Sequence, residues 1–130
     1  WSAEFTQGYT PGMTGMDRWI DWDKDDFIGR KAAIAERDGP PPEQILVTLD
    51  IDAGDADASG YEPVWSDGEL VGFVTSGGYG HTIKKSLAMA LVNADLAKEG
   101  TKLSVHIVGV ERQATVIAPS PYDPNGNAMR

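Results

Sequence analysis

Tyr79 and His81, set in the run Ser76-Gly77-Gly78-Tyr79-Gly80-His81, are the residues of this chain best placed to do chemistry. The run is too long and too glycine-rich for a minimal hairpin turn. It reads as a loop whose small residues let a backbone approach a bound molecule closely. The chain has 2 histidines. The other, His106, falls in the alternating stretch Ser104-Val105-His106-Ile107, opposite in parity to Val105 and Ile107. That places it on the solvent face of a strand. A metal site uses about three or four protein ligands with supporting partners, so no metal ligand is assigned.

Other motifs fail on their spacing. Aligned on Asp55, a calcium-binding helix-loop-helix pattern finds Asp57, Ser59 and Gly60 in place. Its last position is Ser66, where a bidentate Glu is needed, and no helical signal flanks it. Starting from Asp21 instead puts Asp26 where the turn requires Gly. Gly77-Gly78-Tyr79-Gly80 departs from phosphate-binding patterns at Ile83, and a strand rather than a helix follows it. Ser76 lacks the strand-to-helix turn of a nucleophile elbow. No pair of carboxylates is brought together by pattern. No catalytic residue is assigned, and a complete active site within this sequence is not expected.

The elements that hold these residues follow from composition and periodicity. At 130 residues the chain suits one domain, or one domain with part of another. A net charge of −9 and a pI near 4.5 argue against nucleic acid or an anionic membrane as partner. With no cysteine there is no disulfide or thiolate chemistry. No apolar run reaches the ~20 residues of a membrane helix, and the first residues lack the pattern of a signal peptide. Cytoplasmic location is the expectation. Because it starts at Trp1 with no initiator Met, the chain reads as a piece of a longer polypeptide.

Residues 1–23 are turn-rich and aromatic, with Pro11, Gly12 and Gly15 interrupting any early helix. Trp19, Ile20 and Trp22 give a short strand signal. Phe5, Tyr9, Trp19 and Trp22 together call for a partner layer. Residues 25–37 carry the strongest helix signal, with Asp25 and Asp26 at its dipole-favoured start. The Gly-Pro-Pro-Pro-Glu run at 39–43 is a stiff spacer and domain boundary. Beyond it the chain alternates as strands: 44–51, 64–65, 69–75, 86–92, 102–109 and 111–118. The Ser66-Asp67-Gly68 turn joins the second to the third. A helical turn within 93–100 ends at Gly100. Short strands with turn signals at this spacing predict a mainly β, six-stranded barrel or sandwich.

The wording Asp67-Gly68-Glu69-Leu70-Val71-Gly72-Phe73-Val74-Thr75-Ser76 through Val92 resembles the C-terminal barrel of the aminomethyltransferase family. That family includes the glycine cleavage T-protein and the folate-binding part of dimethylglycine and sarcosine dehydrogenases. Further segments match in order: residues 9–32 with Asp26-Phe27-Ile28-Gly29-Arg30, Tyr61–Trp65, and residues 100–124 with Pro119-Ser120-Pro121-Tyr122-Asp123-Pro124. The glycine-rich wording is closest to the dimethylglycine and sarcosine dehydrogenase relatives. The resemblance implies a Greek-key or jelly-roll-like barrel at 39–130. Residues 1–38 would then be the last segment of an upstream folate-binding domain plus a connecting helix.

By that resemblance the parent enzyme transfers a one-carbon unit from an N-methyl amine or aminomethyl donor to tetrahydrofolate, and the barrel caps the folate cleft. Some relatives carry FAD on a separate domain, and nothing in this chain resembles one. The family's catalytic carboxylate lies in the upstream domain, so the chain is not expected to be active alone. The resemblance places Trp19 on the folate-domain side and Tyr122 as a C-terminal tyrosine reaching toward the cleft. Tyr79 and His81 sit on the loop nearest it. Two other readings stand beside this one. One is a non-catalytic module that docks a partner, another domain or another subunit through residues 1–23. The other is a folate-dependent demethylase.

Overall fold

Six antiparallel strands close into a barrel. In the computed structural model, which describes residues 3–129, these are β1 (Gln44–Ile51), β2 (Pro63–Ser66), β3 (Glu69–Gly80), β4 (Lys85–Asn93), β5 (Lys102–Ile107) and β6 (Val110–Ile117). Their order around the wall is β1-β4-β3-β2-β5-β6, with β1 also paired to β6. The hairpin-linked β2, β3 and β4 with β1 returning beside β4 make a Greek key. The mainly β, six-stranded barrel expected from the sequence is the fold observed.

The alternation within each strand sets what fills the barrel. Val47, Leu49 and Ile51 point inward from β1, opposite Ala90, Ala88 and Ser86 of β4. Large residues on one strand face small ones on the next, which suits a narrow interior. Leu49, Val64, Val74, Val92 and Val105 are fully buried there. Each such side chain contributes roughly 1.5–3 kcal/mol through burial. Gly72 has a different task. A Cβ at this position would lie 2.0 Å from the Leu91 carbonyl oxygen, so only glycine lets β3 and β4 meet here. Asp67 and Gly68 both take positive φ, 50° and 84°, to form the tight β2–β3 turn anticipated from Ser66-Asp67-Gly68.

Three local expectations need correction. The Ser76–Gly80 run is strand, not loop: β3 continues through it, pairing Ser76 with Met89 and Gly80 with Lys85. Gly77 makes this possible, because a Cβ there would stand 2.3 Å from the Ala58 carbonyl oxygen. A bulge between Val74 and Ser76 marks where the strand bends, and Thr75 Oγ1 donates to the Met89 carbonyl at 3.1 Å. The connection to β4 shrinks to residues 81–84. The strand signal at Trp19–Trp22 is instead a 3-10 turn over Asp17–Trp19, where Trp19 and Ile20 N–H donate back to the Met16 and Asp17 carbonyls. The helix expected over 25–37 is α2, Arg30–Arg37, which starts late because Gly29 adopts φ 92° just before it.

Ahead of α2, α1 (Pro11–Thr14) begins with the Thr10 side chain accepting from Met13 N–H and ends at left-handed Gly15. It packs against β1 on the outside of the barrel. Leu91 of β4 is fully buried yet lies outside the interior cluster. Thr10 also hydrogen-bonds Glu36 of α2, and the Arg37 guanidinium lies 4.8 Å over the Trp22 ring. Phe5, Tyr9 and Trp22 are therefore partly covered by the chain's own structure, whereas Trp19 remains 73% exposed. Residues 1 and 2 of the expected N-terminal contact segment lie outside the described residues. No described helix is long and apolar enough to cross a membrane.

Candidate functional site

The short β3–β4 connection and the segment after β6 face each other across a concave site of about 350 Å³. His81, Thr82 and Ile83 form one wall, Pro121 and Tyr122 the other, with Leu87 of β4 between them. Local chemistry fixes both walls. The connection closes on a hydrogen bond from Lys84 N–H to the Gly80 carbonyl at 2.7 Å. The terminal segment is stiffened by Pro119 and Pro121, whose φ is locked by the ring. It is tied to β1 where Thr48 Oγ1 donates to the Pro119 carbonyl at 3.4 Å. Beyond Tyr122, the Asp123 carboxylate accepts from Asn127 and Ala128 N–H at 2.7 and 2.8 Å, holding the chain's turn. The Tyr122 side chain is 56% exposed.

A second depression of about 310 Å³ runs on from the first, sharing Leu87, Pro119 and Pro121. Ser76, Gly77 and Gly78 line its far side. A methyl group added at Gly78 would meet nothing within 4 Å, so this backbone is bare and open. Together the two depressions form an apolar, proline-edged groove with a phenol and an imidazole at one end. Such a surface can stack or wedge a flat, largely apolar group. It offers no nucleophile–base pair, and among the described residues no three His, Asp or Glu side chains converge as metal ligands.

Of the four residues singled out from the sequence, three belong to this region. His81 and Tyr122 line the same depression. Tyr79 lies on the other side of the strand end, in a groove at the barrel mouth, yet its ring touches His81 edge-on at 5.1 Å. Trp19 lines neither surface; it sits on the 3-10 turn with the Arg18 guanidinium 5.3 Å from its ring. His106 is on the outer face of β5, as expected, but half-covered and stacked on Trp65 at 5.2 Å. Sequence reading misses Ile83, Leu87 and the two prolines as site walls. The spacing Pro119-x-Pro121-Tyr122 is the available signal, since it rigidifies a segment that ends on an exposed aromatic ring.

Known proteins are similar to this chain in sequence and in fold. The family described as "Glycine cleavage T-protein C-terminal barrel domain" matches residues 45–123. Mitochondrial dimethylglycine dehydrogenase of Rattus norvegicus is 35% identical over 118 residues, covering 90% of this chain and 14% of that protein. An aminomethyltransferase of Halalkalibacterium halodurans is 31% identical over 127 residues, covering 98% of this chain and 34% of that protein. The chain thus spans about a third or less of these relatives. Among solved structures, the glycine cleavage system aminomethyltransferase T of Bartonella henselae superimposes with a TM-score of 0.75 at 24% identity. The match covers 90% of this chain and 33% of that one, and it speaks to the fold.

Proposed function

Because the chain belongs to the glycine cleavage T-protein C-terminal barrel domain family, we propose that it is the part of a folate-dependent one-carbon transferase that closes the folate cleft. The observation that carries this reading is the pairing of His81 and Tyr122 across one apolar depression. The parent enzyme moves a one-carbon unit from an N-methyl amine or aminomethyl donor to tetrahydrofolate. Residues 39–130 form its C-terminal barrel. Residues 1–38 are the end of the folate-binding domain with its connecting helix. In this reading His81 and Tyr122 line the cleft, Tyr79 supports them through its contact with His81, and Trp19 lies on the folate-domain side.

The residues present suit one wall of such a site. Tyr122 presents an exposed ring, and Pro121, Ile83 and Leu87 give an apolar surround for a flat heteroaromatic group. Bound tetrahydrofolate would supply the nitrogen that accepts the one-carbon unit. This chain's residues would exclude water from that edge and hold the ring's orientation. The carboxylate that handles protons comes from the upstream domain. FAD, where a parent of the dimethylglycine dehydrogenase kind uses it, would occupy a separate domain.

Calorimetric titration of the full-length parent with tetrahydrofolate tests the reading, and absence of binding heat overturns it. The alternative of a docking module acting through residues 1–23 draws support from Trp19 alone, since Phe5, Tyr9 and Trp22 are half-covered.

A further inference from the structure

Tyr122 leads into a turn of sequence Asp123-Pro124-Asn125-Gly126. Gly126 takes φ 66°, which glycine adopts without strain, and its N–H donates to the Asp123 carbonyl at 3.0 Å. The Asp123 carboxylate accepts from Asn127 and Ala128 N–H. This backbone favours glycine directly after Asn125. A side-chain amide is thereby set next to a main-chain nitrogen whose residue has no Cβ to shield it. Asn125 is exposed, and among the described residues no hydrogen bond holds its side chain.

Related positions lack this combination. Asn93 and Asn127 are each followed by alanine. Of the two Asp-Gly pairs, Asp38 has its carboxylate held by Arg37 at 2.8 Å, and Asp67-Gly68 forms the tight turn joining β2 to β3. An ionised carboxylate is also a poorer electrophile than a neutral amide.

We propose that Asn125 is a site of self-modification, converted to a carboxylate by the Gly126 nitrogen, and that the conversion opens the turn beyond Tyr122. A bond forms between that nitrogen and Asn125 Cγ, and the Cγ–Nδ2 bond breaks. The Gly126 proton leaves with Nδ2 as ammonia. Solvent water then opens the cyclic succinimide. Opening at Cγ gives aspartate, and opening at the main-chain carbonyl gives isoaspartate, whose backbone runs through Cγ. The net change is amide plus water to carboxylate plus ammonium, with no redox partner.

The restraint on the reaction is the Gly126–Asp123 hydrogen bond, which an exposed turn breaks by local opening. Either product adds negative charge beside Asp123 in a chain already at −9. Isoaspartate also lengthens the main chain inside the ring which that hydrogen bond closes, so the bond loses its geometry. The assignment does not rest on the folate reading.

Incubation of the 130-residue chain at mildly alkaline pH, followed by proteolysis and fragmentation mass spectrometry, tests it. Asn125 should gain the mass of an OH-for-NH₂ exchange and separate into aspartate and isoaspartate forms, with Asn93 and Asn127 unconverted. Asn125→Gln should abolish the gain, because the longer side chain closes a less favourable ring. The converted chain should lose amide-exchange protection at Asn127 and Ala128. Conversion no faster at Asn125 than at Asn93 and Asn127 overturns the proposal. So does a converted chain in which the Asn127 and Ala128 amides stay protected.

Discussion

The ring of Tyr79 meets that of His81 edge-on, with centroids 5.1 Å apart and planes 79° to each other. Tyr79 lines the barrel mouth and His81 lines the groove beside Tyr122, so one aromatic contact joins two concave surfaces around the end of β3. Edge-to-face pairs are worth about 0.5–1.5 kcal/mol beyond burial. Both rings are exposed, which puts this pair at the lower end. His81→Ala should lower unfolding stability by about 0.5 kcal/mol. It should also speed amide hydrogen exchange at residues 81–84 while leaving β1 and β5 unchanged. Exchange measured by mass spectrometry or NMR decides the matter: uniform loss of protection would mean the contact supports the whole barrel.

Gly72→Ala should be among the most damaging single changes available. The added methyl would have to displace the Leu91 carbonyl, 2.0 Å away, and Leu91 sits in the central β3–β4 ladder. Backbone cannot yield as a flexible side chain can, so a loss of roughly 3 kcal/mol or more is expected. Urea denaturation followed by circular dichroism would report it as a fall in the midpoint.

Neighbouring glycines should behave oppositely. In Gly77→Ala the methyl meets the Ala58 carbonyl at 2.3 Å, whereas in Gly78→Ala it meets nothing within 4 Å. The first should cost about 2 kcal/mol or more, and the second should change stability by less than about 0.5 kcal/mol. Thermal melts of the two variants side by side form the comparison.

Tyr122→Ala should leave the melting temperature of the 130-residue chain within about 1 °C, because the residue is 56% exposed there. Folate affinity should fall by about tenfold, the scale of one lost stacking contact. Calorimetry on parent and variant reads that ratio. An unchanged affinity would remove Tyr122 from the cleft wall.

Much of the barrel is legible because its strands alternate. Periodicity bounds β1 correctly and places β4, β5 and β6 within a residue or two. The misreading falls on the half of β3 that lacks side chains. Ser76-Gly77-Gly78 carries no hydrophobic pattern, and its strand state comes from a ladder to β4 and a close approach to Ala58 that are both remote in sequence. The N-terminal aromatics mislead in another way. Trp19, Ile20 and Trp22 alternate over too short a span to specify a strand, and local hydrogen bonds to Met16 and Asp17 win. As for the candidate site, the glycine-rich run points to His81 and the family resemblance to Tyr122. The left-handed Lys84 cannot be read, because a backbone angle leaves no mark on the residue type when a lysine occupies it.

The double pairing of β1 has a consequence for how the molecule comes to exist. β1 is the first strand to be synthesised, and one of its two neighbours, β6, is the last. During translation the β2–β3–β4 meander can assemble from local hairpins, and β1 can then add to β4. The seam with β6 stays open until the chain has been made through Ile117. Until then a nascent chain exposes two unpaired strand edges over an unfinished apolar interior. Closure also carries the entropic cost of joining distant segments. Release of the C-terminal stretch from the ribosome is therefore the step that commits the domain, and a stall or truncation before residue 117 would leave a sheet primed to pair with its neighbours.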